Sequence, residues 1–146
     1  LGAPYWASEA RGLITGITRG TTMPHLIRAS LESIAYQTKD VFDAMEKAFG
    51  RSIRELKVDG GACRNDFLMQ FQANMLGCRI FRPRIVELTA QGVAFLAGVT
   101  AGIWKNKEQV KRRQKVEKIF HPSLEPKKRQ MLYDGWLKAV QRAMLL

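Results

Sequence analysis

The stretch Leu56-Lys57-Val58-Asp59-Gly60-Gly61-Ala62-Cys63-Arg64-Asn65-Asp66 limits what this chain can fold into more than any other. Leu56 and Val58 read as the end of a strand, and Phe67, Leu68, Phe71 and Met75 then fall at helical spacing. Strand, glycine pair and helix together bring backbone to the carboxyl end of a strand, where α/β proteins hold ligands. Glycine serves there because it reaches positive φ and has no Cβ to keep a ligand away. The N–H groups that open the helix face the same space. On the motif alone the simpler reading, a tight turn with no ligand, is preferred, because short glycine patterns recur widely.

A chain of 146 residues with 46% hydrophobic content can form one domain with a core, and disorder is not the default. It opens on Leu1, with no charged and apolar leader, so we expect it to begin inside a longer protein. No apolar run approaches the roughly 18 residues of a spanning helix, so no membrane span is expected. Cys63 and Cys78 have neither metal nor redox spacing and read as free thiols of a cytoplasmic protein. Cys63 lies near a helix start, which favours a thiolate, but His25 and His121 stand in unrelated contexts and a thiol enzyme is not expected.

The net charge of +11 is uneven. Residues 1–104 carry 12 basic and 9 acidic residues, while residues 105–146 carry 12 basic and 4 acidic. A basic tail suits nucleic acid or an anionic surface. Here the charge comes without stacking aromatics, zinc ligands or a recognition helix, so a solvated face is the better reading.

Along the chain, residues 2–6 read as loop. Arg11 to Thr18 reads as a strand broken by Gly12 and Gly16. Met23 to Phe49 is the longest helical signal, with Ile27, Leu31, Ile34, Val41, Phe42, Met45 and Phe49 as its apolar positions. Thr22 or Met23 caps it, Pro24 suits its first turn and Gly50 its C′ position, while His25 reads as a surface or capping group. Ile53–Val58 is a second strand, residues 65–76 a helix stopped by Gly77, and residues 78–81 a third strand. A helix rich in small residues starts within residues 87–92, with Thr89 as N-cap, and its small residues suit close packing. A weak helical pattern covers residues 110–120, and an amphipathic helix runs over residues 127–144 with Leu132, Trp136, Val140 and Met144 as a packing stripe. Strands alternating with helices make the class α/β.

Several stretches, in order, carry a resemblance. They are Leu1 to Trp6, Arg11-Gly12 with residues 16–21, residues 27–38, Val58 to Ala62 with Asn65, residues 67–72, Thr89 to Gly92, and residues 133–138. Together they span nearly the whole chain, which resembles the C-terminal nucleotide-binding domain of the FGGY carbohydrate kinases. The stretches at residues 2–6 and 32–38 resemble the glycerol kinases within that family.

The resemblance implies a ribonuclease-H-like domain of the actin and hexokinase type, one of two that flank a cleft. It implies use of ATP with Mg²⁺, phosphorylation of glycerol by the full-length protein, and a homo-oligomer, dimer or tetramer. Gly60, Gly61, Ala62 and Asn65 match the positions that line the family's nucleotide site, and this reverses the preference for a bare turn. The family's catalytic aspartate and polyol-binding residues have no counterpart here, so the isolated chain is expected to be inactive. Asp59 is expected to make a structural hydrogen bond at its strand end. Cys63 and Arg64 depart from positions that are often small and apolar, and Arg64 could add charge near the nucleotide. Val93 stands where alanine is usual and is expected to tighten helix packing. The alternatives are another FGGY kinase, for a pentulose or gluconate, and a basic nucleic-acid-binding module.

Since residues 105–146 carry charge without base-reading groups, we expect no sequence-specific binding of nucleic acid. Fluorescence anisotropy at physiological salt tests this; sub-micromolar binding that discriminates between sequences contradicts it.

Overall fold

Thr22 is extended, with φ −120° and ψ 168°, and from it the chain enters α1, Met23–Phe49. Pro24 occupies the first turn, where its missing N–H costs nothing. His25 Nδ1 accepts the Thr22 N–H at 3.1 Å, so this histidine is a capping group. Gly50 ends the helix in the left-handed region, at φ 65°. The computed structural model describes residues 1–111 and 114–145.

The face that α1 buries is not the one its apolar spacing indicates. Ala35, Tyr36, Asp40 and Phe42 are buried. Ile27, Ile34, Val41, Met45 and Phe49 are exposed, and only Phe42 of the expected stripe is fully covered. Position on the helix decided the outcome: the buried residues are those turned toward α2 and α5.

After α1, Glu46 Oε1 accepts the Ile53 N–H at 2.6 Å and steers the chain into β1, Glu55–Lys57. A 3₁₀ turn, Gly61–Arg64, leads into α2, Asp66–Leu76, and then β2, Arg79–Pro83. β1 and β2 are parallel, with Leu56 opposite Ile80. α3, Leu88–Thr100, and the short α4, Lys107–Lys111, precede β3, Val116–Phe120. β3 runs antiparallel to β2, with Ile80 opposite Phe120, in a sheet ordered β1-β2-β3. The chain closes on α5, Pro126–Met144. Helices and a mixed sheet make the class α/β, and none of these helices is long and apolar enough to cross a membrane.

Several expectations need correction. Residues 11–18 form no strand. Their β-branched side chains and glycines find no neighbouring strand to pair with among the described residues. The helical pattern over residues 110–120 includes Arg112 and Arg113, which lie outside the described residues, and its second half is β3. β3 is a strand because β2 offers it a hydrogen-bonding edge, which no local spacing reveals. α3 is preceded by Glu87 as N-cap, with Thr89 inside its first turn. Val93 is 65% exposed, so it tightens no packing. The close approach in α3 is at Gly98, where an added Cβ would run into the Trp104 ring. In α5, Trp136 and Val140 pack as expected, while Met144 is exposed and Ala143 is buried in its place.

The core lies where α1, α2 and α5 meet one face of the sheet. Tyr36 sits between two aromatic neighbours, edge-on to Phe71 of α2 at 5.5 Å and stacked on Trp136 of α5 at 5.4 Å. Beneath it lies Asp40, 4% exposed. Tyr133 Oη donates to one carboxylate oxygen at 2.6 Å and Trp136 Nε1 to the other at 2.8 Å. Burial, and then the Asp40 carboxylate, push the Tyr133 phenol strongly up. The same two causes hold Tyr5 at about 12, so the N-terminal loop also faces this charge. A buried carboxylate survives only where donors replace the water it has lost.

Asp40→Ala therefore leaves two partly buried donors unpaired, at roughly 1–3 kcal/mol each at most. We expect a loss of about 3 kcal/mol, and a smaller loss for Tyr133→Phe. Guanidinium unfolding followed by tryptophan fluorescence measures both; unchanged midpoints would rule out this clamp.

Candidate nucleotide-binding loop

The candidate residues Gly60, Gly61, Ala62 and Asn65 sit on one loop between the end of β1 and the start of α2. Gly60 has φ 80° and ψ 169°, a region open in practice only to glycine. Its N–H donates to Val86 O at 2.7 Å, which ties the loop to the segment after β2. Gly61 differs. Its φ is ordinary, and a Cβ there would meet nothing within 4 Å. The fold thus requires glycine at Gly60, while the space over Gly61 is open. Gly61 and Ala62 begin the 3₁₀ turn, where backbone N–H groups have no intrahelical acceptor. Both are exposed, and Cys63 is buried beneath them.

Asn65 is the N-cap of α2. Its Oδ1 accepts the Leu68 N–H at 3.0 Å. The carboxamide oxygen is thus engaged in capping the helix. Asp66, the first residue of α2, has one carboxylate oxygen 2.7 Å from Arg82 and the other 2.6 Å from Lys118. The Lys118 hydrogen bond, followed by that from Arg82, holds its carboxyl below the ordinary aspartate range. Its negative charge beside the loop is therefore locally balanced.

Two expectations about the loop fail. Cys63 is not poised as a thiolate: burial pushes its thiol up, against the pull of Arg82. Asp59 is exposed and makes no side-chain hydrogen bond among the described residues. Gly60 makes the strand-end contact instead, through its own N–H. The side chain of Arg64 is exposed, and its carbonyl is the part the structure uses.

Sequence reasoning passed over Arg82. It shares the inward face of β2 with Ile80, two residues earlier, and both are buried. An arginine in phase with a buried isoleucine was the available signal. A groove of about 840 Å³ opens at the carboxyl ends of β1 and β2, with Lys57, Val58, Phe81, Arg84, Leu88 and Lys115 in its wall. The four loop residues are not in that wall. Among the described residues no group of three or more His, Cys, Asp or Glu could hold a metal ion.

The family model for the C-terminal domain of the FGGY family of carbohydrate kinases matches residues 1–101. A glycerol kinase of Caldanaerobacter subterraneus subsp. tengcongensis is 53% identical over 144 residues, and one of Saccharolobus islandicus 56%. Each match covers 99% of this chain and 29% of the relative. The chain thus spans less than a third of the length of the curated relatives it matches. Among solved structures, Plasmodium falciparum glycerol kinase with ADP superposes with a TM-score of 0.86 at 35% identity, covering 97% of this chain and 28% of that one. The fold is the ribonuclease-H-like, actin/hexokinase type.

Gly60→Ala should destabilise the protein by about 1–3 kcal/mol, the usual cost of a side chain in that backbone region. Gly61→Ala should change stability by less than about 1 kcal/mol, because the added methyl has room. Thermal unfolding of the two variants side by side checks the contrast; equal losses would contradict it.

Proposed function

The chain belongs to the FGGY family of carbohydrate kinases, whose C-terminal domain it matches, and we propose that it forms the nucleotide-binding half of a glycerol kinase. The full-length protein would phosphorylate glycerol to glycerol 3-phosphate. The observation that carries this reading is the open, glycine-built turn at the carboxyl end of β1, with free backbone donors and no side chain over Gly61. In such a site ATP supplies the γ-phosphoryl group, and Mg²⁺ offsets the charge that develops on it. Gly61 admits the nucleotide close to the backbone. The N–H groups of Gly61 and Ala62 offer donors to it, and Asn65 Nδ2 donates at the nucleoside side. Gly60 sets the direction of the turn.

Among the described residues the acidic side chains do not gather into a metal site. Mg²⁺ would therefore enter on the phosphates, with its protein ligands in the remainder of the enzyme. The catalytic aspartate and the glycerol pocket belong there too, which is why the isolated chain should not turn over glycerol. The relatives above favour glycerol over a pentulose or gluconate as the substrate. This reading also carries a cytoplasmic location, in keeping with the unpaired Cys63 and Cys78, and a dimer or tetramer of the full-length protein, to be tested by sedimentation. Two of the tail cations are engaged by the chain itself at the surface, which weakens the nucleic-acid alternative: Lys118 pairs with Asp66, and Arg142 donates to Thr15.

In the full-length enzyme, Gly61→Val should raise KM for ATP at least tenfold and change KM for glycerol much less. Asn65→Ala should have a milder effect, near the 0.5–1.5 kcal/mol of one hydrogen bond, and should also lower stability through the lost cap. Steady-state kinetics with each substrate varied in turn decides the matter; an unchanged KM for ATP in Gly61→Val removes the assignment.

A further inference from the structure

Arg82 lies outside the loop, on β2, with a side chain 8% exposed. Its guanidinium meets the loop from below. Nη1 donates to Cys63 O at 3.0 Å, to Arg64 O at 3.3 Å and to Asp66 Oδ1 at 2.7 Å. Nε donates to Glu117 Oε2 of β3 at 3.1 Å, and the guanidinium carbon stands 5.3 Å from the Phe120 ring centroid. The carbonyls of Cys63 and Arg64 close the 3₁₀ turn just before α2 begins, where backbone acceptors run out of helical partners. One buried, planar, multiply donating group satisfies both of them. At the same time it fixes the first residue of α2, and it is itself held from β3.

We propose that Arg82 is a positioning residue for nucleotide binding: it sets the Gly61–Asn65 backbone in its ligand-accepting shape while touching no ligand itself. The proposal rests on the reading that this loop holds the nucleotide. Two separate points of one guanidinium serve the loop and β3 at once: Nη1 takes Cys63 O, Arg64 O and Asp66 Oδ1, while Nε is held by Glu117. A lysine at this position has the charge but offers its donors from a single point. The Gly61 and Ala62 amides then lose their fixed direction although both residues are intact. The consequence falls on nucleotide affinity, because the glycerol pocket lies outside this chain.

The test uses the full-length enzyme. Arg82→Lys should raise KM for ATP about tenfold, the scale of one lost charge-assisted hydrogen bond. KM for glycerol should stay within about twofold, and amide exchange of residues 61–65 should speed up in the nucleotide-free enzyme. Tyr133→Phe, which weakens the separate clamp at Asp40, should lower the melting temperature without moving KM for ATP. Glu117→Ala frees Arg82 Nε from its anchor and should raise KM for ATP two- to threefold; it carries the test if Arg82→Lys does not fold. Should Gly61→Val raise KM for ATP while the Arg82 and Glu117 variants leave it unchanged, the role of Arg82 is refuted and the loop assignment stands. Should Gly61→Val leave it unchanged, the loop assignment itself fails, and the proposal with it. A rise in KM for ATP in Tyr133→Phe equal to that in Arg82→Lys would reduce Arg82 to a general contributor to stability and overturn the proposal.

Discussion

The burial of α2 is the constraint on which the rest of the structure depends. Leu68, Met69, Phe71, Gln72, Ala73, Met75 and Leu76 are all buried, in a helix of only 11 residues. Each large apolar side chain withdrawn from water stabilises by about 1.5–3 kcal/mol. α1 covers one side of α2, the sheet another, and α5 a third, so short strands that could not stand alone acquire a core. α2 also reaches the loop beyond β3. Gln70 Nε2 donates to His121 O at 2.8 Å, and Asn74 Oδ1 accepts the Ser123 N–H at 2.8 Å. The candidate nucleotide loop is the N-terminal end of this same helix. Its geometry is therefore attached to the most buried element in the chain.

Two charges lie inside this packing, one at each end. Asp40 joins α1 to α5, and Arg82 joins β2 to the loop and to β3. A buried charge gains little net stability over an apolar replacement, since losing water costs about as much as the new bonds return. What it adds is selectivity of arrangement. Asp40 accepts bonds only where a phenol and an indole N–H converge. Arg82 donates only where carbonyls and carboxylates surround it. Each charge penalises any packing that moves its partners away.

Gly60 and Gly61 show how neighbouring residues of one type can serve different ends. At Gly60 the backbone conformation itself excludes a side chain. At Gly61 the conformation is ordinary and the surrounding space is empty of protein. No contact within the chain demands glycine at the second position. That open backbone is what the proposed ligand role of the turn would use.

Local interactions were legible in the sequence. Helix bonds join residues four apart and caps act within one turn, so Thr22, Pro24 and Gly50 mark α1, and Asn65 and Gly77 mark α2. The glycine pair marked the candidate loop for the same reason. Strands take their bonds from elsewhere in the chain. Nothing near residues 11–18 told that this β-rich run would have no partner, nor did the charged run Val116–Phe120 reveal that β2 would accept it. Which side of α1 faces inward was settled by where α2 and α5 lie, so Asp40 is buried while Ile34 and Phe49 are exposed. Arg82 acquires its role only when Cys63, Arg64, Asp66 and Glu117, 16 to 35 residues away in sequence, converge on one guanidinium. The sequence by itself determined α1, α2 and α5 and the glycine turn of the candidate loop, because those depend on neighbours along the chain. The tertiary structure alone decided strand partners, the buried face of α1 and the buried charges, because burial and pairing are relations between segments that meet only in the folded molecule.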